Sequence, residues 1–150
     1  MEAIIQTKQN FKQAVPLFMV VDMESSLKFY VDGLGFEMKN KWTPRGSIEW
    51  CLLERDGVAL MLQEYRKEIP DAKTIEEKCG EGISIWFQCE DVLQLYREFL
   101  SKELNPAEPF VGNGMWDVKL IDPDGYHLHF ESVTDVPEET TYSDWQNNFK

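Results

Sequence analysis

The sequence predicts an α+β fold built from two βαβββ modules, and three observations carry that expectation. A turn-and-strand motif occurs twice, an amphipathic helix occurs twice, and each helix has one strand candidate before it and three after it. Self-similarity at a fixed spacing marks a duplicated unit. DGVALMLQE, from Asp56, lies over DGYHLHFES, from Asp124, at an offset of 68, so Met61 falls on His129; DMESSLKFYVDGLGF, from Asp22, lies over DVLQLYREFLSKELN, from Asp91, at an offset of 69. A half-sheet with one helix cannot cover both of its faces, whereas two such units can share a core.

The elements follow in chain order. Residues 1–13 form an N-terminal extension, and the body spans 14–132: module one at 14–63, a linker at 64–81 and module two at 82–132. The first strand, at 15–21, contains Pro16, which has no N–H to donate, so the strand is an edge or crosses to a partner subunit. Asp22 stands at an N-cap position. Met23, Leu27, Tyr30 and Val31 share one helix face, and Gly33 and Gly35 end that helix. Strands follow at 36–42, 48–54 and 58–63, the last two joined by Asp56-Gly57. The charged connector is expected to be partly helical.

Module two repeats the plan: a strand at 83–89, Asp91 as N-cap, and Val92, Tyr96, Phe99 and Leu100 on one helix face. Asn105-Pro106 stops the helix, and strands follow at about 107–111, 115–121 and 126–132. Gly112-Asn113-Gly114 reads as a plain hairpin or as a gating loop. Residues 133–150 are a polar tail whose Trp145 and Phe149 are expected to dock on the body or on a second subunit.

Bulk properties narrow the function. Net charge is −12, with 10 Lys/Arg against 11 Asp/Glu in residues 1–75 and 5 against 16 in residues 76–150. Such a surface repels phosphate, which argues against nucleic acid and anionic membrane as partners and favours a cationic ligand, although acidity also serves plain solubility. No apolar run reaches the ~20 residues of a membrane span, and the start lacks a signal-peptide pattern, so a cytoplasmic protein is expected. Cys51, Cys79 and Cys89 are widely spaced and unpaired in motif, which suits reduced, inert thiols.

The stretch DPDGYHLHFES puts His127, His129 and Glu131 on one strand face, ~6.5–7 Å apart. Two readings stand: a facial metal-ligand set, or the polar side of a sheet with ligand-facing or locally satisfied histidines.

With the paired modules, VVDMESSLKFYVDGLGFE and PFVGNGMWDVKLIDPDGYHLHFES, residues 14–132 resemble the vicinal oxygen chelate superfamily: glyoxalase I, extradiol dioxygenases, fosfomycin resistance proteins and bleomycin-resistance proteins. The resemblance implies the glyoxalase/bleomycin resistance fold, a cupped mixed β-sheet with one helix per module packed outside. It also places four metal-holding positions on Val15, Met61, Ser84 and His129, of which only His129 is a good ligand. Within the implied cup, Leu17, Met19, Met61 and Gln63 lie opposite Ser84, Trp86, Gln88, His129 and Glu131, with Trp42, Trp50, Trp86 and Trp116 supplying walls. For any one tryptophan, core packing is the default reading. Glu49 and Asp117, matched across the repeat, add negative charge at the rim.

The leading expectation is a metal-independent binder without cofactor, holding an amphipathic aromatic or cationic small molecule in a homodimeric cup. Its contacts are His129, Trp86, Met61, Gln63, Ser84, Glu131, Trp116 and Trp50. The bleomycin-resistance members exchange their first strand between two chains and bind drug at the interface, and the chain resembles them in Pro16, acidity and lost ligands. One alternative is a lyase, isomerase or dioxygenase with one divalent metal on His129, His127 and Glu131, or on His129 with Gln63. Another is a non-catalytic assembly subunit that makes contact through its acidic tail.

Overall fold

A computed structural model describes residues 9–66 and 80–148. Module one contains β1 (Leu17–Val20), α1 (Met23–Leu27), β2 (Glu37–Trp42), β3 (Trp50–Arg55) and β4 (Val58–Glu64); a π-helical segment, Lys28–Gly33, extends α1. Module two contains β5 (Ser84–Gln88), α2 (Val92–Ser101), β6 (Phe110–Gly112), β7 (Met115–Ile121) and β8 (His127–Val133), followed by α3 (Tyr142–Asn148). The modules form two four-stranded sheets, ordered β1-β4-β3-β2 and β5-β8-β7-β6. In each, the first strand runs parallel to the last and the other pairs are antiparallel. Among the described residues no ladder joins the two sheets.

Each sheet has a dry side and an open side, as strand alternation requires. On β7, Trp116, Val118 and Leu120 are buried while Met115, Asp117 and Lys119 remain partly accessible. On β8, Leu128, Phe130 and Ser132 are buried, and His127, His129 and Glu131 lie on the other side. The helices close the dry sides. Both begin at the expected caps: Asp22 accepts from the Glu24 N–H, and Asp91 from the Gln94 N–H. The repeat reaches finer detail at the next position. Met23 N–H donates to Glu64 at 2.8 Å and Val92 N–H donates to Ser132 Oγ at 3.0 Å, so each helix start is tied to the end of its own last strand.

The first helix widens after Leu27 instead of continuing as a regular α-helix. Its end is set by packing. A Cβ at Gly33 would lie 2.7 Å from Leu104 Cδ2, which would have to swing away, and Gly35 sits at φ +75°, the position that favours glycine where the chain turns into β2.

The modules lock through a reciprocal exchange of turns. The β7–β8 turn of module two reaches module one: Tyr30 Oη donates to Asp122 at 2.7 Å, Val21 N–H to Asp124 at 3.0 Å, and Tyr126 stacks on Phe18 at 4.4 Å. The β3–β4 turn of module one reaches α2 in return, where Arg55 bonds Glu98 at 2.8 Å and also donates to the Leu34 carbonyl. The ring contact and the buried hydrogen bond among them lie on the helix-covered sides.

Pro16 precedes an edge strand, and β1 pairs with β4 of its own chain. The strand expected at about 107–111 is shorter and later, Phe110–Gly112, because Pro106 and Pro109 have no N–H to give a ladder. Gly112-Asn113-Gly114 forms a hairpin, with Asn113 at φ 53° and Gly114 at φ 71°, and the Gly114 N–H is held by Glu138 at 2.9 Å. The tail is ordered on its own body. Phe110 bridges Thr141, Val111 N–H donates to the Thr140 carbonyl, and Trp145 packs against Trp116 at 5.7 Å. It covers the β6 edge, which would otherwise present unpaired backbone. Phe149, Cys79 and connector residues 67–79, including their expected helical content, lie outside the described residues.

Candidate functional site

The open face of the second sheet carries a connected polar and aromatic group. Trp86 and His129 are ladder partners on parallel strands, and their rings stack with centroids 4.0 Å apart and planes 7° from parallel. Trp86 Nε1–H donates to Ser84 Oγ at 2.8 Å, which sets the tilt of the indole from two residues along the same strand face. His129 Nδ1 lies 3.0 and 3.1 Å from the two carboxylate oxygens of Asp117. Because an ionised carboxylate only accepts, Nδ1 carries the proton and Nε2 is the ring's remaining polar atom. Gln88 Nε2 donates to Glu131 Oε1 at 2.6 Å and holds that carboxylate along the same face.

This group is built and yet open. His129 is largely shielded, with 15% of its side chain accessible, whereas Trp86 is 46% exposed. A large indole left in water while its hydrogen bond and its stack are both satisfied is a presenting surface. Ile121 and Val133, on the same side of β7 and β8, are also exposed.

The expected contacts divide into three sets. Ser84, Trp86, His129 and Glu131 come together as described. Met61, Gln63 and Trp50 lie on the first sheet, where Trp50 pairs with Gln63 and Met61 with Leu52. Among the described residues no hydrogen bond, ion pair or ring contact links them to His129 or Glu131. Trp116 is a correction. It is 4% exposed on the dry side of β7, packed against Tyr142 and Trp145, because it is adjacent in sequence to Asp117 and alternation sends the two to opposite faces.

Asp117 is the residue whose role the sequence concealed, and the reason is a register shift. Gln63 and Glu131 match across the repeat, but their ladder partners are Trp50 and Asp117. Asp117 therefore corresponds to Trp50. Glu49, which the sequence matches to Asp117, corresponds instead to Trp116; it is buried and paired with Arg45 at 2.6 Å. The cause is turn length: Arg55 pairs with Val58 across a two-residue turn, while Ile121 pairs with His127 across a longer one containing Pro123. Directly opposite His129 stands Lys119, and Asp117 reaches it along the diagonal, within the range of neighbouring strands.

The donor set does not fit a metal. Of the four positions implied by the resemblance, Val15 has no donor, Met61 offers only a thioether and Ser84 already accepts from Trp86. Among the described residues no group of three or more His, Cys, Asp or Glu is arranged to hold an ion, so His127, His129 and Glu131 do not converge. The two described thiols, Cys51 and Cys89, offer no activated nucleophile either. Burial pushes Cys51 up to about 11 and also raises Cys89. No described helix is long and apolar enough to cross a membrane.

Comparison with known proteins places this geometry in a family. The bleomycin-binding protein complexed with bleomycin matches at TM-score 0.60 and 22% identity, covering 83% of this chain and 100% of that one. A second, the bleomycin-binding protein from bleomycin-producing Streptomyces verticillus complexed with copper(II)-bleomycin, matches at 0.61 and 21%, covering 85% and 100%. The structure called SMU.1112c matches at 0.65 and 20%, covering 82% and 99%. At these identities the likeness is one of fold. No curated protein matches by sequence. A family model described as the Glyoxalase/Bleomycin resistance protein/Dioxygenase superfamily matches residues 12–130, most of the chain. The chain belongs to the glyoxalase/bleomycin resistance protein/dioxygenase superfamily.

Proposed function

We propose that this chain is a metal-independent small-molecule binder that sequesters an amphipathic aromatic or cationic ligand in a cup completed by a second copy. The observation that carries this reading is Trp86 stacked on His129, with Asp117 and Ser84 fixing both rings on a face where the indole is left exposed among the described residues. Flat, oriented rings with one polar atom to spare form a recognition surface for a planar group. Asp117 and Glu131 add negative charge, favouring a cation.

A cup needs two walls. Among the described residues of one chain, no ladder joins the second open face, with Trp50, Met61, Gln63 and the exposed Leu17 and Trp42, to the first. A homodimer that sets the first sheet of one copy against the second sheet of the other would supply both. Two structural neighbours are complexes with bleomycin, which makes bleomycin the first ligand to try.

Tryptophan quenching during titration with bleomycin and a panel of aromatic cations tests the reading, with sedimentation giving the mass. The expected result is saturable quenching of a dimer, weakened about tenfold or more by Trp86→Ala. Silence across the panel, or a stoichiometric transition metal in protein purified without chelator, overturns it.

A further inference from the structure

A second cavity lies on the other side of β5 and β8, where the two modules meet. Its volume is about 390 Å³, within the range of small-ligand pockets. Phe36, Phe87, Phe99 and Phe130 floor it, and their mutual packing fixes the rings. Phe87 stacks on Phe130 at 4.9 Å, Phe99 meets Phe130 edge-on at 4.9 Å, and Phe36 meets Phe87 at 6.4 Å.

The rim is strongly biased in charge. Asp56, Glu90, Asp91 and Glu98 line it against a single guanidinium, Arg55. Arg55 is already engaged, donating to the Leu34 carbonyl at 2.6 Å and to Glu98 at 2.8 Å. That ion pair also lies between this groove and a neighbouring polar one of about 440 Å³, whose carboxylates are interspersed with Lys39 and Lys102 and which lacks the phenylalanine floor.

The geometry points to this inter-module groove as a binding site for a small aromatic monocation, with its ring on the phenylalanine floor and its charge among the rim carboxylates. The two halves of the lining select that class together. Aromatic faces attract cations as well as apolar surface, and an anion would meet a net negative rim. A second copy is a poor occupant, since a chain of net charge −12 would bring its own acidity against Asp56, Glu90 and Asp91. The site does not depend on the Trp86–His129 face, because alternation puts Phe87 and Phe130 on the opposite side of the sheet.

Amide chemical-shift mapping of the full chain with phenethylammonium, and with phenethyl alcohol and 3-phenylpropionate as neutral and anionic analogues, tests the assignment. The ammonium is expected to give saturable shifts at 34–36, 55–58 and 87–99, with weaker binding by the alcohol and none by the carboxylate. Glu90→Gln should weaken the ammonium about two- to fivefold, the yield of an exposed ion pair. Phe87→Ala should weaken it about tenfold. If the alcohol binds as well as the ammonium, if no shift saturates, or if the shifts fall on the Trp86–His129 face, the assignment fails. It also fails if these amides are covered by a second copy, seen as a dimer that Phe87→Ala dissociates.

Discussion

Asp117 holds His129 diagonally across the β7–β8 ladder, with both carboxylate oxygens within 3.1 Å of Nδ1. The pair fixes which imidazole nitrogen carries the proton, and therefore which atom an incoming ligand meets. Nitrogen chemical shifts of the His129 ring should report a proton on Nδ1. Asp117→Leu should mix the tautomers and weaken any ligand that quenches Trp86 by about three- to tenfold, the worth of one oriented hydrogen bond. An unaltered tautomer balance in the variant would rule out the pairing.

Tyr30 and Asp122 form the most deeply buried polar contact between the modules. Asp122 also accepts from the Asp124 and Tyr126 N–H groups, so Tyr30→Phe leaves it partly served; we expect a loss of about 1–3 kcal/mol in urea unfolding. Full stability in the variant would show that water replaces the hydroxyl.

The same turn sets a pH dependence. Desolvation by burial raises both Asp122 and Asp124 above their ordinary value of 3.8, outweighing the hydrogen bonds that lower them. A carboxyl raised in the folded state binds its proton to higher pH than in the unfolded chain. Its contribution to stability therefore falls as pH rises from about the ordinary value through the raised one, and is constant above. Asp122→Asn removes that group's share, so stability measured across the weakly acidic range should fall less steeply with pH than in the parent chain. Identical slopes would refute the assignment.

Gly35 faces the Arg55 guanidinium, where a Cβ would lie 3.3 Å from Nη1, and its φ is +75°. Gly35→Ala combines left-handed strain with a crowded ion pair and should cost about 1–2 kcal/mol. Gly46 is also at positive φ but has nothing within 4 Å of its Cβ position, so Gly46→Ala should show the backbone strain alone and cost less. Equal losses in the two variants would remove the role of Arg55.

Trp145 seals the strap over the β6 edge. Trp145→Ala should cost about 2 kcal/mol through lost aromatic packing on Trp116 and Tyr142. Deleting residues 134–150 should go further and produce concentration-dependent aggregates, because edge backbone is then exposed. A stable, monodisperse deletion product would show that the edge needs no cover.

Local information in the sequence was enough for the modules, the caps at Asp22 and Asp91, and the alternation of β7 and β8. Each of these depends on residue type and short-range spacing, which side-chain chemistry and backbone geometry dictate without reference to distant parts of the chain. What the tertiary structure decided depends on pairing between strands. The longer turn containing Pro123 shifts the β7 register by one residue relative to β3, so that Asp117 corresponds to Trp50 and Glu49 to Trp116, while Lys119 stands directly opposite His129 and Asp117 reaches the ring along the diagonal. The destination of the tail and the Phe36–Phe87–Phe130 floor were likewise set only when the two modules closed on each other. A one-residue offset costs nothing to read past in a sequence, but in a pleated sheet it moves a side chain to the other face, and that is where the sequence alone lost the site.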